Sequence, residues 1–315
     1  MCYNRLTDRK DGAIMNENII EVHELTKQYG AHKAVDGISF AAKRGGFFGF
    51  LGVNGAGKST TINMLSTLIA PTSGRAEVCG FELGKHDEEI RRRIGIVYQN
   101  NCLDEMLTVR ENLLLRGAIY GESSAKCRES FARVCGILSL DDVADKRYKT
   151  LSGGQKRRCE IAAALMHTPE LLFLDEPTTG LDPATRKSVW ESVAQLRREG
   201  MTVFLTTHYM EEAAAADDIV ILDSGRICAH GTPFELKERY ARDKLRLYTE
   251  RELAVQGLIR ESYGYSMELS QTLDALAVLD RVRGEIDGFE VINGTMDDVF
   301  LNAAGRKLET TEDRA

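Results

Sequence analysis

The sequence predicts an α/β fold: a core with a mainly parallel sheet, a helical insertion, and a small α+β accessory domain at the C-terminal end. Three observations carry this. From residue 19 to about 240, short apolar runs alternate with longer helical patterns, as βαβ units require. One of those runs ends in a glycine-rich turn that opens a helix. The 315 residues also exceed the roughly 100–200 usual for one domain, so a smaller second unit is expected. Residues 1–18 read as an N-terminal extension, with Met1 or Met15 as the start. Residues 19–240 read as the core, helical over about 100–165, and 241–315 as the accessory domain.

Apolar periodicity and turn residues place the elements in order. Residues 19–23 and 38–42 read as early strands, and 46–51 as a buried strand running into the glycine turn. A helix over 60–69 follows and stops at Pro71 and Gly74. Residues 94–98 form the next strand. From about 100 to 150 the chain becomes charged and helix-patterned, with helices expected over 109–120 and 125–138. Strands resume at 171–174, 202–206 and 219–222, separated by helices over 155–166 and 184–199. Beyond 240 the pattern thins to strands at 244–248, 265–269 and 289–292, with helices at 273–286 and 297–301.

Composition narrows the classes. The chain is 43% hydrophobic and 28% charged, enough to bury a core and too apolar for disorder. Its 48 acidic residues exceed the 41 basic ones, a formal charge of −7 that argues against nucleic acid as a partner. The basic runs 91–93 and 156–158 then read as solvated helix faces. No apolar run reaches the roughly 18 residues of a bilayer span. Seven scattered cysteines (Cys2, Cys79, Cys102, Cys127, Cys135, Cys159, Cys228) give neither a disulfide framework nor a zinc spacing, and read as reduced thiols of a cytoplasmic protein.

Two segments carry chemistry. Gly52, Val53, Asn54, Gly55, Ala56, Gly57, Lys58 and Ser59 fit Gly-x-x-x-x-Gly-Lys-Ser between a strand and a helix, which makes the core a P-loop NTPase core. Such a loop curls its N–H groups around a polyphosphate, and the helix N-terminus adds a favourable dipole. Lys58 can reach the β- and γ-phosphates, and the Ser59 hydroxyl can ligate Mg²⁺. The run Leu-Leu-Phe-Leu then delivers Asp175 and Glu176 at a strand's C-terminal end. Asp175 is placed to organise Mg²⁺, and Glu176 to polarise an attacking water as general base.

Leu151, Ser152, Gly153, Gly154 and Gln155 open the helix expected over 155–166, and Asp175 and Glu176 continue as Pro-Thr-Thr-Gly-Leu-Asp-Pro. With the P-loop, these residues resemble the nucleotide-binding subunits of ABC transporters over about 19–240. The resemblance implies an ATP site of Tyr29 stacked on adenine, the loop from Gly52 to Thr60, Gln99 sensing Mg²⁺ and the γ-phosphate, Asp182, and His208 touching the γ-phosphate beside Glu176. It also implies that Ser152, Gly153, Gly154 and Gln155 form a second phosphate cradle, used in trans. Two copies then pair head-to-tail as a homodimer, with ATP between Lys58 of one and Ser152 of the other. Two positions depart from the common pattern: Val53 where proline is frequent, and Ala163 where arginine is usual.

The lack of a span then implies a separate transmembrane permease, which would dock on the helical insertion after Gln99, and a site of action on the inner face of the cell membrane. Residues 295–305 (Thr-Met-Asp-Asp-Val-Phe-Leu-Asn-Ala-Ala-Gly) resemble the closing segment of ATPase subunits in drug- and antibiotic-resistance exporters. The expected function is therefore an ATP-hydrolysing subunit driving export of a drug, antibiotic or other hydrophobic compound. The alternative is a non-transport ABC ATPase acting as a soluble mechanochemical module.

Overall fold

The computed structural model describes residues 17–305. The start at Met1 or Met15, Cys2, and all but the end of the extension expected over 1–18 lie outside the described residues. The strands, in chain order, are β1 (Asn18–Tyr29), β2 (His32–Lys43), β3 (Phe47–Leu51), β4 (Ser73–Val78), β5 (Phe81–Glu82), β6 (Ile94–Val97), β7 (Leu171–Asp175), β8 (Thr202–Thr207), β9 (Asp218–Asp223), β10 (Arg226–Gly231), β11 (Asp243–Tyr248), β12 (Ile259–Glu261), β13 (Gly264–Leu269) and β14 (Gly288–Ile292). The helices are α1 (Lys58–Leu65), α2 (Asp87–Arg91), α3 (Val109–Ile119), α4 (Ser124–Leu138), α5 (Gly153–Ala164), α6 (Pro183–Arg198), α7 (Pro233–Tyr240), α8 (Asp274–Val282) and α9 (Met296–Ala303).

The central sheet has the order β10-β9-β3-β8-β7-β6, parallel except for the edge strand β10. Alternation along β3 turns Phe48 and Phe50 to one face and Phe47 and Leu51 to the other, so both faces are buried. On the first face Phe40 of β2 packs against Phe48, Phe50 and Phe204, with ring centroids 5.4, 5.4 and 6.2 Å away. The second face is covered by α5, α6 and the helical insertion α3–α4, which share one large core. Capping boxes start α3 at Thr108 and α5 at Ser152, while Asp182 caps α6 ahead of Pro183.

The parallel sheet matches the expected fold class. A second sheet was not expected: β2-β1-β4-β5 is antiparallel and lies over the first face. Its strand β4 buries only Ala76 and Val78 among polar neighbours, too weak an alternation to be read as a strand. The short elements α2, β12 and β10 and the helix α7 also went unread, and the helix expected over 273–286 ends at Val282. Among the described residues no helix is long and apolar enough to cross a membrane.

Beyond α7, the antiparallel sheet β12-β13-β11-β14 packs α8 on one face around a small core of its own, including Leu245, Leu247, Val278 and Val282. The last helix does not join that core. α9 returns to the large one, where Met296, Val299 and Phe300 are buried.

Candidate functional site

Strands β3, β8, β7 and β6 are adjacent and parallel, so their C-terminal ends reach one edge of the sheet, where ligands bind in open α/β folds. β3 leads into the glycine loop and α1. Gly57 has φ 108°, and a Cβ there would lie 2.4 Å from the Ala34 carbonyl oxygen, so only glycine fits. Gly55 has φ 82° with open space around it. No side chain caps α1, which leaves a helix N-terminus facing the loop, a natural anion site.

Lys58 folds back over this loop. Its Nζ donates to Gly52 O at 2.8 Å and Val53 O at 3.2 Å, and stands 3.3 Å from Glu176 Oε1. Ser59 Oγ donates to Asp175 Oδ1 at 3.3 Å, and Thr206 Oγ1 to the same oxygen at 2.5 Å. His208 Nδ1 lies 3.2 Å from Glu176 Oε2, to which Thr179 Oγ1 donates at 3.3 Å. Burial opposes ionisation of Glu176, but the charge of Lys58 and the neighbouring His208 outweigh it and hold the carboxyl below its ordinary range. Glu176 is therefore an ionised acceptor. Its backbone sits at φ 46°, the left-handed region, which costs about 1–2 kcal/mol for such a residue. Its N–H donates to Thr206 O at 3.0 Å.

Asn54, Gly55, Gly57, Lys58, Ser59, Thr60, Gln99, Glu176 and His208 all line one cavity of about 550 Å³, together with His32, Ala34 and Thr179. That volume lies within the range of small-molecule sites. Five chain segments thus converge on one polar cavity.

A family model described as "ABC transporter" matches residues 35–179. The daunorubicin/doxorubicin resistance ATP-binding protein DrrA of Streptomyces peucetius is 40% identical over 316 residues, covering 94% of this chain and 96% of that protein. The chain belongs to the ABC transporter family of ATP-binding subunits. The linearmycin resistance ATP-binding protein LnrL of Bacillus subtilis (strain 168) is 44% identical over 72% of this chain and 73% of its own. Among solved structures, the cassette MJ0796, in a dimeric post-hydrolysis state bound to ADP and Pi, superposes with a TM-score of 0.61. It is 28% identical, over 68% of this chain and 98% of that one. The protein is thus a nucleotide-binding ABC ATPase.

Not every residue singled out in this ABC ATPase reaches the cavity. Tyr29 stands half exposed at the end of β1, paired in register with His32, and Lys27 Nζ lies 5.2 Å from its ring centre. Ser152 and Gln155 satisfy one another in the capping box of α5, and Asp182 accepts from Ala184 and Thr185 N–H at 3.1 Å. Gly154 lies against Thr185 and Gly153 against Leu181, so the Ser152 segment and the start of α6 pack as one block outside the cavity lining. Ala163 is buried in the large core, with no polar contact in place of the usual arginine.

Three side chains near this site escaped the sequence reading. The run 156–158 is not simply a solvated face: Arg157 is 4% exposed, and its guanidinium donates to the carbonyl oxygens of Tyr98, Asp175 and Pro177. Three residues along, Glu160 is buried and accepts from Cys102 N, Leu103 N and Tyr148 OH at 2.9, 3.1 and 2.7 Å. Glu212 is buried beside Thr178, Thr207 and Trp190. One signal was present for Arg157. It lies four residues before Ile161, on the stripe that the helix period sends inward.

Proposed function

We propose that the cavity is the ATP site and that hydrolysis there drives export through a separate membrane permease. The observation that carries this is the meeting of Lys58, Ser59, Gln99, Glu176 and His208 around one cavity. Lys58 supplies the charge for the β- and γ-phosphates, and the uncapped N-terminus of α1 supplies further donors. Glu176, ionised and anchored by Lys58 and His208, accepts the proton of the attacking water as general base. His208 holds the γ-phosphate side of that geometry, Gln99 senses the phosphate, and Tyr29 meets adenine.

The Ser59 hydroxyl and the Asp175 carboxylate, 3.3 Å apart, are hard oxygen donors that suit Mg²⁺ beside phosphate oxygens. When bound, Mg²⁺ neutralises charge developing on the transferred phosphoryl group.

Ser152, Gly153, Gly154 and Gln155 lie outside this chain's cavity, which supports their use on the nucleotide of a second copy, head-to-tail. A neighbouring groove of about 450 Å³, lined by Leu68, Tyr98, Arg116, Ile119 and Tyr120, opens beside the strand leading to Gln99. It suits a permease helix at the inner face of the membrane, and within 241–315 the strands β11–β14 and α8, around their own core, then form an accessory domain. The daunorubicin/doxorubicin and linearmycin resistance of the relatives supports a hydrophobic drug or antibiotic as cargo and disfavours a non-transport role.

Glu176→Gln tests the core of this reading. The variant should bind ATP with near-native affinity yet hydrolyse it roughly a hundredfold or more slower, the scale of a lost general base. Steady-state phosphate release at a native rate would sink the assignment.

A further inference from the structure

Two ionisable side chains lie buried beside Glu176, and the ATP site described above uses neither. Arg157 donates from Nε to Pro177 O at 2.5 Å and from Nη2 to Asp175 O at 3.3 Å, so its guanidinium grips the chain on both sides of Glu176. Its Nη1 donates to Tyr98 O at 2.5 Å, the residue before Gln99. Glu212, 7% exposed, lies in a 3₁₀ turn just past His208. Its Oε2 accepts from the Thr207 hydroxyl at 2.7 Å, the residue before His208. Its Oε1 accepts from the Thr178 hydroxyl and, at 3.4 Å, from the Trp190 indole. Arg186 Nε stands 3.8 Å from that oxygen.

Burying such groups is unfavourable unless directed hydrogen bonds compensate, and an apolar pair would fill the same space more cheaply. What apolar residues cannot do is hold particular carbonyls and hydroxyls in direction. Glu176 needs that, because its left-handed backbone persists only where neighbours over-determine it. Arg157 fixes the carbonyls at 175 and 177, and Glu212 fixes Thr178. Each side chain also reaches the residue just before another cavity-lining group: Tyr98 before Gln99, and Thr207 before His208.

We propose that Arg157 and Glu212 are positioning residues for hydrolysis, holding Glu176, Gln99 and His208 on one rigid frame through separate bonds to the 175–178 segment. Neither touches the nucleotide. Their loss misplaces the groups that act on the γ-phosphate and leaves the phosphate loop intact, so turnover falls while nucleotide binding does not. This rests on Glu176 being the general base.

The test measures ATP hydrolysis and ADP binding of the full chain as Thr207→Val, Thr207→Ser, Glu212→Gln and Arg157→Lys, with Glu176→Gln alongside. Thr207→Val is nearly isosteric and removes the hydroxyl that Glu212 holds, which also accepts from Tyr209 N–H at 2.9 Å across His208. Thr207→Val and Arg157→Lys should each lower kcat by roughly tenfold to a hundredfold, the range for small misplacements, with KM for ATP within about threefold. Thr207→Ser, which restores the hydroxyl, should recover most of the loss. Thr207→Val added to Glu212→Gln should lower kcat less than the product of the two single losses, since both break one link. If ADP binding falls in step with kcat, the residues are merely structural and the proposal is overturned. Native-like kcat in Thr207→Val and in Arg157→Lys, with Glu176→Gln inactive, also overturns it and leaves the general base standing. A native rate in Glu176→Gln would instead remove the reading on which the proposal rests.

Discussion

His167 stacks on Tyr120 with ring centroids 3.8 Å apart, and its Nε2 donates to Ile94 O at 3.0 Å. Burial outweighs that hydrogen bond and pushes its pKa from the ordinary 6.5 down to about 4. Below pH 6.5 the unfolded chain takes up a proton that the folded chain refuses. Stability is therefore full above 6.5 and is lost as pH falls toward 4, by up to about 3 kcal/mol. Urea unfolding of His167→Gln against the native protein should show a shallower loss between pH 6.5 and 4; parallel curves would refute the role of His167. Burial acts on thiols in the opposite direction, pushing Cys79 and Cys159 up to about 12, so both stay protonated and inert. At this scale residue type and local spacing named Lys58 and Glu176, while His208 was named through the family resemblance. The sequence could not tell Arg157 from the exposed Arg92, because burial is decided by what packs against a helix.

Helix α5 shows how one element serves two ends. Its capping box ties Ser152 to Gln155, while one turn on, Arg157 and Glu160 turn inward to the chain on either side of Gln99. Ser152→Ala should lower stability by about 1 kcal/mol through the lost cap. It should also weaken ATP-dependent pairing of Glu176→Gln copies, measured by size-exclusion chromatography, whereas Thr108→Ala, which removes the equivalent cap of α3, should leave pairing unchanged. Equal pairing in both backgrounds would count against a use of Ser152 in trans. Apolar strands such as β3, β7 and β8 are fully buried and were read nearly end to end. Strand β4 was not, because an exposed antiparallel strand needs a partner more than it needs apolar residues.

The whole molecule is organised around the return of α9. Residues 295–305 drew attention through likeness to resistance exporters; the fold gives them a physical task as well. Met296, Val299 and Phe300 close the large core against α7 and the turn after His208, leaving β11–β14 and α8 around their own small core. Phe300→Ala should lower cassette stability by about 3 kcal/mol, as large-to-small core changes do. Thermal unfolding with and without ATP would check this: the ATP-stabilised transition should drop, and an unchanged transition would contradict the packing. For the same reason, deleting 241–315 would strip apolar cover from the ATPase core, and ending the accessory deletion before Met296 is the cleaner experiment.

The sequence by itself determined the residue types of the proposed site, because a phosphate cradle and a strand-end carboxylate pair need particular residues at fixed local spacing. It also determined the parallel core, since strands buried on both faces are written as continuous apolar runs. Only the tertiary structure decided which charges are buried, where the polar edge strands pair, and which core claims the last helix. Those outcomes depend on contacts between segments far apart in sequence, as when Arg157 joins Tyr98 to Pro177 and Glu212 joins Thr178 to Thr207. No local pattern records such contacts.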